Sequence, residues 1–126
     1  MANAILASSP GIFEIEQQND TIIVVPVVNL RELEYQRIEE GARKVLDFLN
    51  SNGIKNVVLD LHKTDYYGSS ALGIFMKFWK RVRERNGRMA FCNVSAHEKD
   101  ILQFTHLDHL WQICSSRNEA LEAVKE

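Results

Sequence analysis

The sequence predicts an α/β fold: a single-domain mixed β-sheet with an N-terminal hairpin, alternating βα units and helices packed on the sheet. Two extended segments joined by Asn19-Asp20 predict the hairpin, because this dipeptide favours a tight turn. After the hairpin, segments with helical periodicity alternate with short apolar runs, a succession that requires parallel crossover units. The 126 residues are sufficient for one domain and leave no room for a second.

The amino-terminal part is predicted to contain a flexible arm followed by the two hairpin strands. Residues 1–11 are mostly small or polar and form the expected arm, while residues 12–126 form the folded domain. Phe13-Glu-Ile-Glu16 alternates apolar and acidic side chains, as a half-buried strand does. Thr21 to Val28 is a largely β-branched apolar run, which indicates a strand buried on both faces. Pro26 should end the pairing of that strand, because proline has no N–H to donate.

A helix and a central strand are expected next. Asn29-Leu-Arg-Glu32 has the spacing of a capping box, which predicts that a helix begins at Asn29. Apolar residues then recur at steps of three and four as far as Leu49, and Ser51-Asn-Gly53 predicts the end of the helix. Val57 to Leu61 is a short apolar run and is predicted to be a central strand, in which the charged Asp60 is unexpected.

The second half of the chain continues the alternation. Helical spacing predicts a helix from Ser69 to Asn86, and Arg88 to Val94 is predicted to form the following strand. Ser95-Ala-His-Glu98 and Ser116-Arg-Asn-Glu119 are further capping boxes, so each predicts the start of a short helix. A last strand is predicted over Leu110 to Ile113, between these two helices.

Composition disfavours several classes of function. Fifteen basic residues against seventeen acidic ones give a net charge of −2, whereas contacts to a phosphate backbone need a basic surface, so nucleic acid is not expected as a partner. No segment approaches the ~18 consecutive apolar residues of a membrane span, and the amino terminus lacks the basic start of a signal peptide. We therefore expect a cytoplasmic protein without membrane association, in which Cys92 and Cys114 are reduced. No metal or cofactor is predicted.

The segment around Ser69 and Ser70 is the most informative part of the chain. A strand leads into a short loop and then into a helix whose first residues are these two serines. Their hydroxyls should lie at the positive end of the helix, where backbone N–H groups are free, so a phosphorylated serine would fit there. Simple capping of the helix by Ser69 would explain the same residues without any modification.

An ordered set of motifs extends along most of the chain. Leu59-Asp-Leu61 is followed by a loop, by Gly68-Ser-Ser-Ala-Leu-Gly73 and by a long helix. Asn86-Gly-Arg88, Asn93-Val-Ser95 and Leu102 to Leu110 continue the set. This order resembles the signature of the STAS family of anti-sigma factor antagonists, whose usual pattern at the helix start is Asp-Ser-Ser-Gly-Leu-Gly.

The resemblance implies a small regulatory protein, monomeric or weakly dimeric, that binds an anti-sigma factor with serine kinase activity. The partner would phosphorylate Ser69, and the added charge would end the contact. Gly68 and Ala71 stand where the family usually has aspartate and glycine. Motif position gives the expected partner-binding residues, with Asn29 standing where the family has a turn after the second strand: Asn29, Asp65, Tyr66, Tyr67, Gly68, Ser69, Ser70 and Leu72.

Three alternatives stay open at this point. The same fold could serve as an unphosphorylated scaffold or a small-ligand module in a signalling complex. A hydrolase with Ser70 as nucleophile and His62 and Asp60 as partners is a second reading, although a nucleophile elbow needs a glycine where Leu72 stands. A weakly spaced metal site is the third; its members would be His106, Asp108, His109 and Cys114.

Overall fold

The computed structural model describes residues 4–7, 11–51 and 53–125, and these form one mixed sheet covered by helices, which confirms the α/β fold. In spatial order the strands are β1 (Ala4–Ala7), β2 (Phe13–Gln18), β3 (Thr21–Pro26), β4 (Asn56–Asp60), β5 (Met89–Cys92) and β6 (Gln112–Cys114). The helices are α1 (Tyr35–Leu49), α2 (Ser69–Glu84), α3 (Ala96–Phe104) and α4 (Arg117–Lys125), with 3-10 turns at Glu32–Glu34 and Leu107–His109. In the described part of the chain, none of the helices is long and apolar enough to cross a membrane.

The order of strands in the sheet follows the order in the sequence. β1, β2 and β3 are antiparallel neighbours, whereas β3, β4, β5 and β6 are parallel neighbours. A parallel pair needs a crossover connection, which α1 supplies between β3 and β4 and α2 supplies between β4 and β5. β3 and β4 therefore occupy the centre of the sheet.

Two apolar layers cover the two faces of the sheet. Ile22 and Val24 of β3 belong to the larger layer, which includes side chains of α1 and α2. Ile23 and Val25 belong to the smaller layer, which includes side chains of α4. Because side chains of a strand alternate between faces, this arrangement explains the continuous apolar run and confirms its burial on both faces. Cys92 lies in the smaller layer, where burial raises the pKa of its thiol to about 12.

The arm expected over residues 1–11 contains a strand that sequence analysis missed. Residues 4–7 form β1 and pair antiparallel with β2, with Ala4 opposite Gln17. Residues 1–3 and 8–10 lie outside the described residues. The outer edge of β2 offers unpaired N–H and C=O groups, which a short additional strand satisfies. Four residues are too few to show a strand periodicity, so the pattern alone did not reveal β1.

Helix α1 begins at Tyr35, so the predicted start at Asn29 is wrong. The intervening chain forms the 3-10 turn, and Leu30 makes an isolated parallel bridge to Tyr67. The side chains of Asn29 and Glu32 reach instead to the loop after β4 and to the start of α2. Capping-box spacing describes local partners only, and here tertiary partners bind the same side chains.

The other two capping boxes have different outcomes. The box of α3 is confirmed: Ser95 Oγ accepts from the Glu98 N–H at 3.1 Å, and the Glu98 carboxylate accepts from the Ser95 N–H at 3.0 Å. At α4, Ser116 Oγ accepts from the Glu119 N–H at 3.1 Å. The Glu119 carboxylate, however, accepts from the N–H and hydroxyl of Ser115, one position before the expected residue.

The end of α2 places a glycine under a tight steric constraint. Asn86, and not Gly87, adopts the left-handed conformation, with φ of 61°. A Cβ at Gly87 would lie only 1.7 Å from the carbonyl oxygen of Lys55. Gly87 is therefore needed for the close approach of two backbone segments rather than for its conformational freedom.

Candidate functional site

The parallel pairing of β3 and β4 brings two loops together. Both strands end at the same edge of the sheet, so the chain after β3 and the chain after β4 run side by side. Leu30 and Tyr67 form the bridge between the loops, and the Gly68 N–H donates to the Leu30 carbonyl at 2.8 Å. α2 begins with the next residue, Ser69, so the start of this helix lies against the loop after β3.

A reciprocal pair of hydrogen bonds joins the two loops. Asn29 Nδ2 donates to the Asp65 carboxylate at 2.8 Å, and the Asp65 N–H donates to Asn29 Oδ1 at 3.0 Å. Ser95 Oγ donates to the Asp65 carbonyl at 2.9 Å, which ties the same loop to the start of α3. The structure thus brings together Asn29 and Asp65, two of the residues predicted to form the site.

The inner side of the loop after β4 is fixed by Glu98 of α3. The Thr64 hydroxyl donates to the Glu98 carboxylate at 2.6 Å, and the Tyr67 hydroxyl donates to the Glu98 carbonyl at 2.9 Å. Glu98 is fully buried, and this burial raises the pKa of its carboxyl group in spite of the hydrogen bonds from Thr64 and Ser95. The loop therefore has a rigid support beneath its exposed side.

Part of the predicted partner-binding set belongs to the core. Tyr67 is only 1% exposed and packs edge-on against Phe75, with ring centroids 5.4 Å apart, so its side chain offers almost no surface to a partner. Gly68 is also buried, and Leu72 is half-buried and packed against the larger apolar layer. Sequence neighbours of an exposed serine point in different directions once a helix begins, which the motif does not reveal.

The Glu32 carboxylate binds the first residues of α2. It accepts from Ser69 Oγ at 3.0 Å, from the Ser70 N–H at 3.2 Å and from Ser70 Oγ. These hydrogen bonds, first those of Ser70 and then that of Ser69, hold the pKa of Glu32 below its usual value. The anion site expected at this helix terminus is therefore occupied by a carboxylate of the protein itself. Sequence analysis missed this role because it assigned Glu32 to the cap of α1.

Gly68 makes room for that carboxylate. Its backbone is extended, with φ of −97° and ψ of −176°, a conformation open to any residue. A Cβ at this position would lie 2.6 Å from Glu32 Oε2. The combination of a glycine before the serines and an acidic residue after β3 is the signal that could have identified the contact.

We use the name serine face for the exposed and half-buried residues of the two loops and of the start of α2. Ser69 is exposed and Ser70 is half-buried. Leu33, adjacent to Glu32, is 96% exposed, an unusual state for a large apolar side chain. Tyr66 is half-buried, with its ring centroid 5.2 Å from that of His97. The serine face consists of Asn29, Glu32, Leu33, Asp65, Tyr66, Ser69 and Ser70.

The structure does not assemble the alternative hydrolase site. The Ser70 hydroxyl donates to Glu32, whereas His62 Nδ1 lies 2.9 Å from Asp60 Oδ1. A histidine that activates a serine must hydrogen-bond its hydroxyl, and here each side chain has a different partner. Asp60 is 2% exposed and also accepts from Arg117 Nε at 2.8 Å, so its unexpected charge belongs to a buried ion pair.

The residues of the alternative metal site are also not assembled into a site. His106 and His109 pack edge-on, with ring centroids 5.8 Å apart. Across residues 4–7, 11–51 and 53–125, no group of three or more histidine, cysteine, aspartate or glutamate side chains is placed to hold a metal ion.

Lowering the pH is expected to remove the Glu32 cap from α2. Because the pKa of Glu32 is lowered in the folded protein, the cap is present above the ordinary glutamate value and is lost as the pH falls through the lower, folded value. The amide shift of Ser70, whose N–H donates to Glu32, should report this step in an NMR titration. The step should be absent in Glu32→Gln. A midpoint at or above the ordinary value of 4.5 would contradict the assignment.

Comparisons with known proteins agree with this architecture. The STAS domain model matches residues 13–120. A STAS domain protein from Planctomyces limnophilus is 29% identical, with 88% of this chain and 96% of that chain covered and a TM-score of 0.77. The phosphorylated form of SpoIIAA from Bacillus shares the fold, with 16% identity, 88% and 97% coverage and a TM-score of 0.69.

A sequence relative points the same way. BtrV of Bordetella bronchiseptica, named as an anti-sigma factor antagonist, is 27% identical over 73 residues. That match covers 58% of this chain and 63% of BtrV, so the chain spans less than two thirds of the length of this relative. The match to the family model, in contrast, covers most of the chain and includes every residue of the serine face. The chain belongs to the STAS domain family, as its motifs indicated.

Proposed function

We propose that this protein is an anti-sigma factor antagonist that binds a kinase-type anti-sigma factor through the serine face and is switched by phosphorylation of Ser69. The observation that carries the proposal is the position of Ser69, exposed at the start of α2 between two fixed loops. The names of BtrV, an anti-sigma factor antagonist, and of SpoIIAA in a phosphorylated form support it. The protein would act in the cytoplasm as a regulator and not as an enzyme.

The chemistry of the serine face fits a contact that phosphorylation ends. The exposed Leu33 side chain offers apolar area to a protein partner, and the hydrogen-bonded Asn29 and Asp65 offer polar groups. A phosphate on Ser69 would add about 1.5 to 2 negative charges to this surface. A partner surface complementary to a neutral hydroxyl would then face an unpaired charge, which is costly to desolvate.

Ser69→Ala is expected to abolish modification while the fold survives. The substitution removes one exposed hydroxyl and its hydrogen bond to Glu32, so the free energy of unfolding should fall by no more than about 1 kcal/mol. The protein is incubated with ATP and each kinase-type anti-sigma factor of the same genome, and its intact mass and binding are measured. Binding by the variant should no longer depend on ATP.

Ser70→Ala is the matched control, because Ser70 donates to the same carboxylate but is half-buried. It should still gain one phosphate, and peptide mapping should place that phosphate on Ser69. A phosphate found on Ser70 alone would refute the assignment.

A constitutive scaffold is the second candidate function. It is favoured by the contact of Glu32 with both serine hydroxyls, since a hydroxyl held by a carboxylate of its own chain is less available to a kinase. If this candidate is correct, the mass of the native protein is unchanged after incubation with ATP and every kinase tested. Partner binding is then also independent of ATP.

A further inference from the structure

We propose that Glu32 is an intramolecular latch which phosphorylation of Ser69 opens, so that the 3-10 turn at Glu32–Glu34 is released from the start of α2. The proposal rests on the proposed function in one respect, the choice of Ser69 as the modified residue. It identifies the part of the protein that moves, and it gives the serine face two states that a partner can distinguish.

The turn has few other attachments to the rest of the fold. None of the three residues in Glu32–Glu34 is buried, and Leu33 is almost fully exposed. Among the described hydrogen bonds, those that Ser69 and Ser70 donate to the Glu32 carboxylate join this turn to α2. Asn29 and Leu30 are held separately, by Asp65 and by the Gly68 N–H, so opening of the latch can stay local.

Phosphorylation converts an attraction at this contact into a repulsion. In the transfer, Ser69 Oγ bonds to the γ-phosphorus of ATP, the bond to ADP breaks, and the hydroxyl proton is lost to solvent. The donor that Glu32 accepts from at 3.0 Å is then gone, and phosphate oxygens carrying about 1.5 to 2 negative charges stand in its place. Phosphate and carboxylate also compete for the same Ser70 N–H. The phosphate is bonded to the helix, so the carboxylate is the group that must leave.

Gly68 offers an independent way to open the latch. A Cβ added there would lie 2.6 Å from Glu32 Oε2, the mobile end of a side chain. Gly68→Ala should therefore displace the carboxylate by steric contact, without adding charge and without strain in the extended backbone. If the latch has the geometry described, this variant reproduces the released turn in the unphosphorylated protein.

The test is amide hydrogen exchange on the full chain with phosphoserine inserted at position 69 during translation, so that no kinase is needed. The reporters are the N–H groups of Glu34 and Tyr35, which bond to the Arg31 and Glu32 carbonyls inside the turn. Loss of hydrogen bonds to a charged group should raise their exchange at least about tenfold over the unmodified protein. Gly68→Ala should raise it in the same direction.

Two glutamine variants separate charge from other effects. With Glu32→Gln the side-chain amide can donate to the phosphate, so phosphoserine should no longer accelerate exchange in the turn. Glu34→Gln is the matched control: Glu34 lies on the same turn but pairs with Arg37, so phosphoserine should still accelerate exchange there. Circular dichroism of each variant confirms that it is folded.

Unchanged exchange at Glu34 and Tyr35 in the folded phosphoserine protein would overturn the latch, as would equal acceleration in Glu32→Gln. Because the phosphoserine is installed without a kinase, this failure would leave the proposed function standing. Failure of every kinase to modify Ser69 would instead count against the proposed function, while the exchange result would still establish the latch.

Discussion

Replacing Arg117 by alanine is expected to lower the free energy of unfolding by about 1.5–3 kcal/mol, the range for hydrogen bonds to a charged group, because Asp60 keeps its bonds from Asn93 and His62. Asp60 at the end of β4 is 2% exposed, and Arg117 Nε donates to its carboxylate at 2.8 Å. The same guanidinium donates to Glu16 on β2 at 2.9 Å. Arg117 is the first residue of α4, so one side chain connects that helix to two strands.

The decrease in the free energy of unfolding caused by Arg117→Ala should depend on pH. Burial raises the pKa of Asp60, but hydrogen bonds from Asn93, Arg117 and His62 outweigh it and leave the pKa below its usual value. The stabilisation is therefore present above the unfolded pKa and lost as the pH falls through the folded one. The difference between variant and native protein should narrow in acid, where a protonated Asp60 no longer needs the guanidinium.

Urea denaturation at several pH values measures this difference. Arg37→Ala is the control, because Arg37 pairs with Glu34 at 3.0 Å on the surface and should contribute only about 0–1 kcal/mol. Two results would contradict the role assigned to the buried pair. One is an equal decrease in the free energy of unfolding for the two variants, and the other is a decrease for Arg117→Ala that does not change with pH.

Replacing Gly87 by alanine is expected to destabilise the protein by about 1–3 kcal/mol or more, the range for side chains forced into filled space. The added Cβ would lie 1.7 Å from the Lys55 carbonyl oxygen and 2.8 Å from the Lys55 carbonyl carbon. Both contacts are to backbone, so a side-chain rotation cannot relieve them. The segment before β4 or the end of α2 must shift, and the 2.7 Å hydrogen bond from the Gly87 N–H to Val82 would be disturbed.

Gly73→Ala is the matched control for Gly87→Ala. Gly73 lies inside α2, and a Cβ there would meet no atom within 4 Å. Alanine is the better helix former, so this variant should gain up to about 1 kcal/mol. Urea midpoints of the two variants should move in opposite directions. A Gly87→Ala protein as stable as the native one would show that the two backbone segments are free to separate.

The fold was predictable because its signals are local. Alternation in β2, the continuous apolar run of β3 and the helical spacing of α2 each lie within one short segment, and each matches the structure to within about two residues. Asp60 was recognisable as unusual because a charged side chain in an apolar central strand needs a partner. That partner, Arg117, lies 57 positions away, so no local pattern could identify it.

The candidate site was predictable only in part, because it depends on contacts between distant segments. The position of Ser69 at a helix start followed from the motif, and Asn29 and Asp65 do meet. Glu32 has the spacing of a helix cap, and only the pairing of β3 with β4 shows that its carboxylate binds Ser69 instead. The burial of Tyr67 likewise depends on α3, which lies about thirty positions further along the chain.

The serine face is a discontinuous epitope. Its carboxylate and its hydroxyls come from positions 37 and 38 residues apart, joined only when β3 and β4 are paired. A synthetic peptide that spans residues 65–73 contains Ser69 but lacks both Asn29 and Glu32, so it presents neither the paired loops nor the carboxylate. A partner that recognises this surface therefore binds the folded chain and does not bind a linear serine motif.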